Sequence, residues 1–428
     1  MDNKTVIPGV YQGLIAISSS KSDGQRAILA AALSKGISKI YNLGHSDDEL
    51  AMLEAVQQLG AEATRESDNT WTFKGIAEFP KVAELYMNES GLGTRLITGI
   101  CAVHEGHFKI TGSGSILKRS MDFFELYLPH FGAEIKTKNG HLPFEISRPT
   151  QAFAERNRIG AQVVIDGSQS SQYVSSLLMA LPLLPTESRL EVTNLKSIPY
   201  LKMTLNTLTK FGISILNQDL QHFIIAGNQQ YISTTYHVEG DWSSASYWLV
   251  ASALGQNVSV QGLDIESLQA DKHILQAFEA ANSTVNFSED SISILGKERK
   301  AFEFDATHCP DLFPALVTFA AFCEGETILK GVTRLANKES NRGEALKTEF
   351  AKLGVEISLD DDIMRIQGKK IMNGGIVSSH NDHRIAMCLA IAGLFSTSPI
   401  TITEPNCVTK SYADFWDDLE GLHQDSKA

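Results

Sequence analysis

The same short pattern returns five times along this chain, and it limits the fold more than any other feature. Each copy is a helical stretch that ends on a small residue and passes into two strands joined by a polar turn. Gln57-Gln58-Leu59-Gly60-Ala61-Glu62-Ala63 opens a copy that runs to Gly75, and Phe131-Gly132-Ala133-Glu134-Ile135 opens one that runs to Ile146. Phe211-Gly212-Ile213-Ser214-Ile215 leads to Gly227, and Leu353-Gly354-Val355-Glu356-Ile357 to Gly368. A degenerate copy, Ala281-Asn282-Ser283-Thr284-Val285, runs to Gly296 with Asn in the glycine's place. Gly, and after it Asn, best tolerates the left-handed backbone that ends a helix. The anchors at 60, 132, 212, 282 and 354 stand 72, 80, 70 and 72 residues apart, a regularity that generic helix–hairpin units would not produce by chance.

A sixth helix end fits at Leu419-Glu420-Gly421, 67 residues after Gly354, but only seven residues follow it, too few for a hairpin. The apolar strand from Tyr11 to Ile17 is therefore expected to complete the last unit. Six units of roughly 70 residues follow, three per domain, which agrees with the two-domain prior for 428 residues. The predicted domains are 20–236 and a split one built from 1–19 and 237–428. The class is α/β (α+β) with mostly buried helices.

Between the anchors lie polar strand-to-helix turns. Ser18-Ser19-Ser20-Lys21-Ser22-Asp23-Gly24-Gln25-Arg26 joins the strand to an apolar helix over Ala27–Leu33, and the Ser22/Gln25 spacing of a capping box predicts that the helix starts at Ser22. Gly167 to Gln172, Gly240-Asp241, and His380-Asn381-Asp382-His383-Arg384 are the corresponding turns further on. A helix start with unpaired amides and nearby cations holds phosphate or carboxylate well. Four such turns point to helix N-termini converging on one highly anionic site.

The net charge of −13 argues against a nucleic-acid partner, yet a cleft that concentrates cations still binds anions. No apolar run reaches membrane-spanning length, and no signal-peptide core follows Met1-Asp2-Asn3-Lys4. The five cysteines, at 101, 309, 323, 388 and 407, lack metal spacing and are odd in number, as expected of a reducing cytoplasm.

Lys21-Ser22 with Arg26, Ser170-Ser171-Gln172, Ser197 with Tyr200, Gly240-Asp241, Pro310-Asp311, Lys338-Glu339 with Arg342, Asn381-Asp382-His383-Arg384 and Lys410 stand in a definite order and spacing. In that order and spacing, from about residue 11 to 419, the chain resembles the 5-enolpyruvylshikimate-3-phosphate synthases. The resemblance implies two domains, each of three βαβαββ units in the inside-out-barrel arrangement of the enolpyruvyl transferases, with the active site in the cleft between them. It implies a reaction of the shikimate pathway: the enolpyruvyl group of phosphoenolpyruvate passes to the 5-hydroxyl of shikimate 3-phosphate, and phosphate leaves. Roughly five negative charges must then be gathered in one place, which calls for matching cations.

By the same resemblance, Ser170, Ser171 and Ser197 hold the phosphate of shikimate 3-phosphate, while Ser22, Arg26 and Tyr200 hold other groups on it. Lys21 and Gln172 lie between both substrates. Gly91, Arg119, Arg342, Arg384 and Lys410 receive phosphoenolpyruvate, with Arg95 nearby. Asp311, paired with Lys338, is the expected base toward the hydroxyl, and Glu339 and Lys21 are candidates for the proton exchange at carbon. No cofactor, metal, nucleic acid or membrane is expected, and a cytoplasmic monomer is.

Several positions depart from the family pattern. Ser18-Ser19 replaces the usual Pro-Gly, Glu89-Ser90-Gly91-Leu92 keeps the glycine of Asn-Ala-Gly-Thr but loses the threonine, and Ile116-Leu117-Lys118-Arg119-Ser120 keeps only the second arginine of Leu-Arg-x-Arg-Pro. The nearest alternative is the related transferase acting on UDP-N-acetylglucosamine, which uses a reactive cysteine in a mobile loop. Here the only cysteine before residue 300 is Cys101, within the apolar stretch Ile97–Val103. A non-catalytic anion-binding homologue is the alternative from another class, but Lys21, Asp311, Lys338 and Glu339 all remain.

Overall fold

Every anchor of the repeat takes the left-handed backbone its place requires: φ is 106° at Gly60, 86° at Gly132, 78° at Gly212, 65° at Asn282 and 86° at Gly354. The computed structural model describes residues 3–67, 69–148, 161–296 and 298–424. The chain divides into two compact units, Lys21–Val238 and Met1–Ser20 with Glu239–Ala428.

In the unit Lys21–Val238 the described helices are α1 (Lys21–Leu33), α2 (Asp47–Gln58), α3 (Gly91–Val103), α4 (Asp122–Tyr127), α5 (Ser171–Ala180) and α6 (Ile198–Lys210). Its three sheets share one design. Val82–Tyr86 runs parallel to Gly106–Thr111, which pairs antiparallel with His141–Arg148, and that strand pairs antiparallel with Glu134–Lys138. Gln162–Asp166, Ser188–Thr193, His222–Ile225 and Ile215–Gln218 repeat that order. So do Thr235–His237, Ile37–Tyr41, Thr70–Lys74 and Glu62–Ser67, with the first strand drawn from the far end of the unit.

Parallel neighbours need a crossover, and an apolar helix supplies it. Helix α3 is buried at all of its positions and α5 at all but Gln172, as a helix apolar on every side must be. The two approach closely at Gly99, where a β-carbon would stand 2.4 Å from Ser176 Oγ and 2.8 Å from its carbonyl oxygen. Only hydrogen fits there.

The other unit repeats the plan with α7 (Trp242–Leu254), α8 (Ile274–Ala280), α9 (Phe313–Ala320), α10 (Arg342–Lys352), α11 (His383–Gly393) and α12 (Phe415–Gly421). Helices α7, α9 and α11 are buried along their whole length. Glu303–Asp305, Glu326–Lys330, Ile363–Gln367 and Glu356–Asp360 form the sheet of the standard pattern.

Two expectations are corrected here. The strand Tyr11–Ala16 meets the end of the last repeat only through Tyr11 and Gln12, which pair antiparallel with Gln424 and His423 after α12. The strand lies parallel to Asn257–Gln261, with Ile15 opposite Val260, and so provides the first strand for the crossover through α7. A separate strand before Pro8-Gly9, Asn3–Val6, joins the last sheet beside Ile400–Thr403. The helix start also shifts: α1 begins at Lys21, and Ser22 lies in its first turn. Residues 18–20 are still engaged in extended pairing, Ser19 with Gly240 and the Ser20 amide with the Glu239 carbonyl at 2.7 Å, so the helix begins as soon as that pairing ends.

Among the described residues no helix is long and apolar enough to cross a membrane.

Candidate functional site

The unit containing Glu239–Ala428 gathers six of the predicted residues into one connected cluster. Asp311 sits in the short 3-10 turn Pro310–Leu312 ahead of α9, where neither helix start has a side-chain cap. Its carboxylate turns to cations instead. Oδ1 accepts from Arg342 Nη1 at 2.7 Å and from Lys338 Nζ at 3.1 Å, while Oδ2 accepts from Arg384 Nη2 at 3.2 Å. Arg342 also donates to Glu339 at 2.5 Å, and Lys410 Nζ approaches Glu339 Oε1 at 3.8 Å.

Asp382 fixes the inner end of this network. Its carboxylate accepts from Arg342 Nε at 2.8 Å and from the Arg384 amide at 3.0 Å, so one side chain both caps α11 and orients an arginine. Arg384 Nη1 also donates to Ser243 Oγ, in the first turn of α7. Exposure separates the members. The Arg342 and Asp382 side chains are 1% and 0% exposed, whereas Lys338 and Asp311 retain 24% and 21% and are the part of the cluster that reaches solvent.

The protonation states follow from the surroundings. Burial alone would push Asp311 up, but Arg384, Lys338 and Arg342 together hold its carboxyl well below the usual range. Burial pushes Lys338 below an ordinary lysine, and Asp311 only partly restores it. A carboxylate that stays ionised thus lies beside an ammonium that gives up its proton more readily than usual.

The unit Lys21–Val238 arranges the other predicted residues around helix starts. Lys21, the first residue of α1, has its Nζ 2.9 Å from Asp48 Oδ2 in the first turn of α2. Arg26, one turn further, is buried, and its guanidinium binds three groups: Nε donates to Thr204 Oγ1 at 2.8 Å, Nη1 to the Ser22 carbonyl at 2.6 Å and Nη2 to the Tyr200 carbonyl at 3.2 Å. Burial lowers Arg26 to about 10, still fully charged at neutral pH. Thr204 donates in turn to Ser175 at 2.8 Å, so α1, α6 and α5 are tied together near the ends that carry Ser22, Ser197, Ser170 and Ser171. Ser170 caps α5 by accepting from the Gln172 amide at 3.2 Å. Ser197, at the start of α6, takes left-handed backbone (φ 56°) and makes no side-chain capping bond, a strained conformation of the kind found at binding sites.

A second group forms at the start of α3. Ser90 caps the helix, accepting from the Gly93 amide at 3.2 Å and donating to Gln25 Oε1 of α1 at 3.1 Å. A β-carbon on Gly91 would stand 2.6 Å from Arg119 Nη1 and 3.2 Å from Arg95 Nη1, so both guanidinium groups lie against this glycine. Arg95 donates to Gln172 Oε1 at 2.9 Å and lies over the Tyr173 ring, 4.7 Å from its centre. The Tyr173 hydroxyl then holds the turn after Arg119, donating to the Ser120 carbonyl at 2.6 Å. The substitutions around Arg119 therefore leave its turn anchored.

A sequence model described as EPSP synthase (3-phosphoshikimate 1-carboxyvinyltransferase) matches residues 7–419. The chain belongs to the EPSP synthase family. It is 37% identical over 426 residues to a 3-phosphoshikimate 1-carboxyvinyltransferase of Clostridium botulinum (strain Alaska E43 / Type E3), covering 97% of this chain and 96% of the relative. It is 35% identical to the protein of that name from Clostridium novyi (strain NT), covering 98% and 97%. Its fold matches the solved EPSP synthase of Acinetobacter baumannii with a TM-score of 0.79 at 25% identity, covering 98% of both chains.

Within this EPSP synthase framework Cys101 is fully buried in α3, and burial pushes its thiol far up, so nothing favours the cysteine-dependent alternative. Sequence reasoning missed Asp48, Ser243 and Thr204, and gave Asp382 no role. Asp48 stands in the run Asp47-Asp48-Glu49 after Ser46, which reads as ordinary first-turn acid at a capped helix. The pairing with Lys21 depends on how α1 and α2 pack, and no local pattern announces it.

Proposed function

We infer that this chain transfers the enolpyruvyl group of phosphoenolpyruvate to the 5-hydroxyl of shikimate 3-phosphate, releasing phosphate. The observation that carries the reading is the Asp311–Lys338–Arg342–Arg384 cluster in a chain matched to the family from end to end. Ser170, Ser171, Ser197, Ser22, Arg26 and Tyr200 bind shikimate 3-phosphate. Gly91, Arg119, Arg342, Arg384 and Lys410 receive phosphoenolpyruvate, and Lys21 and Gln172 contact both.

The chemistry needs a proton on the methylene carbon as the 5-oxygen attacks C2, then loss of phosphate and of a methyl proton. Asp311 takes the hydroxyl proton. As placed here it is a weak base, because three cations stabilise its ionised form. A phosphate or carboxylate that engages Arg342 and Arg384 draws them from Asp311 and raises its basicity when the acceptor is in place. Lys338 lies against Asp311, while Glu339 and Lys21 exchange the carbon-bound proton. The cations offset the charge that builds as phosphate leaves. The enzyme acts as a cytoplasmic monomer without a cofactor.

Phosphate release by purified protein tests the reading. Release should require both acids together, and UDP-N-acetylglucosamine should not replace shikimate 3-phosphate. Release with the nucleotide sugar instead would reject the assignment.

A further inference from the structure

Behind the cation cluster, one helix holds the turn that delivers Arg384. Between the strand Gly375–Ser378 and α11 the chain makes two consecutive left-handed residues, His380 (φ 53°) and Asn381 (φ 52°), neither of them glycine. L-residues persist in that conformation only where surrounding contacts over-determine it. The contacts come from Glu349, on α10 and seven residues, about two turns, beyond Arg342. Its side chain is 1% exposed, yet it is fully engaged. Oε2 accepts from the Ser378 amide at 2.9 Å and from Lys352 Nζ at 2.7 Å, while His380 Nε2 lies 2.8 Å from Oε1. Ser378 Oγ accepts from the His380 amide at 3.0 Å and Ser379 Oγ from the Asn381 amide at 3.1 Å, which completes the turn.

The geometry points to Glu349 and His380 as positioning residues for the phosphoenolpyruvate arginine Arg384. Helix α10 grips the segment at both ends, Arg342 through Asp382 and Glu349 through Ser378 and His380. The strained turn is thereby fixed, and the direction of α11's first residues with it. Glu349 holds its proton less tightly than a free glutamate despite its burial, because Lys352, Ser378 and His380 all bind the ionised form. This role rests on Arg384 receiving phosphoenolpyruvate, as proposed above.

Calorimetric titration of the full chain tests it without depending on turnover. Glu349→Gln and His380→Ala should each weaken phosphoenolpyruvate binding about tenfold, the scale expected when a charged contact is misplaced by a fraction of an ångström. Shikimate 3-phosphate affinity should change less than about twofold, since groups elsewhere bind its phosphate. His380→Gln, which keeps a donor facing Glu349, should recover most of the loss. Unchanged phosphoenolpyruvate affinity, an equal loss for both ligands, or loss of thermal stability alone would overturn the inference. Phosphate release by the unmodified chain judges the underlying activity separately, and its absence would reject that reading rather than this one.

Discussion

Lys338 Nζ lies 3.1 Å from Asp311 Oδ1, and the two depart from usual protonation behaviour in ways that keep the carboxylate ionised and make the ammonium easier to deprotonate. Burial lowers the lysine, and Arg384, Lys338 and Arg342 overcome burial to hold the carboxyl low. Asp311→Ala and Lys338→Met should each lower kcat by about 10² or more, typical of a lost proton-transfer group. Near-normal rates would remove them from the chemistry.

The same pair has a pH signature. In kcat/KM, which reports the free enzyme, the Asp311 limb should lie below pH ~4 and the Lys338 limb below the ordinary lysine value of about 10.4. In kcat, which reports the loaded enzyme, the acid limb should move upward if, as proposed, phosphoenolpyruvate occupies the arginines that hold Asp311 low. Coincident acid limbs would show that substrate does not change its basicity.

Gly91→Ala would place a methyl 2.6 Å from Arg119 Nη1 and 3.2 Å from Arg95 Nη1. The guanidinium groups must give way, so KM for phosphoenolpyruvate should rise about tenfold or more while that for shikimate 3-phosphate stays nearly constant. Steady-state kinetics with each substrate varied separates the two.

How far this site could be read in advance differs residue by residue. The anchors at 60, 132, 212, 282 and 354 were legible because left-handed backbone selects Gly or Asn whatever the tertiary context. The partner of Tyr11–Ala16 was not, because a parallel strand pairs across the whole inserted unit and leaves no local trace. Cations such as Lys21, Arg342 and Arg384 stood out through their motifs. The carboxylates that orient them, Asp48 and Asp382, resemble ordinary helix-start acids until the helices are packed.

Asp271 offers a stability test. It is buried, and burial with the nearby Asp311 charge raises its carboxyl to about 7. Below about pH 4 it is neutral both folded and unfolded, so it costs nothing there. As pH rises toward 7 the unfolded chain loses the proton first, and the destabilisation grows to its full size above 7. Asp271→Asn should therefore stabilise the fold more at pH 8 than at pH 4, by at least about 1 kcal/mol. Denaturant midpoints at the two pH values check the sign.

Gly99→Ala should destabilise the unit Lys21–Val238 by about 1–3 kcal/mol, since its methyl would meet the Ser176 carbonyl oxygen at 2.8 Å with nowhere to move. Ser176 Oγ also donates to the Arg95 carbonyl at 2.5 Å, so activity should fall along with the melting temperature.

The most direct test follows carbon-2 of phosphoenolpyruvate by NMR, using labelled substrate, shikimate 3-phosphate and the purified chain. The label should move into an enol ether on the 5-oxygen, with one phosphate freed for each transfer. Label that stays in phosphoenolpyruvate, or appears as pyruvate, would contradict the transfer proposed here.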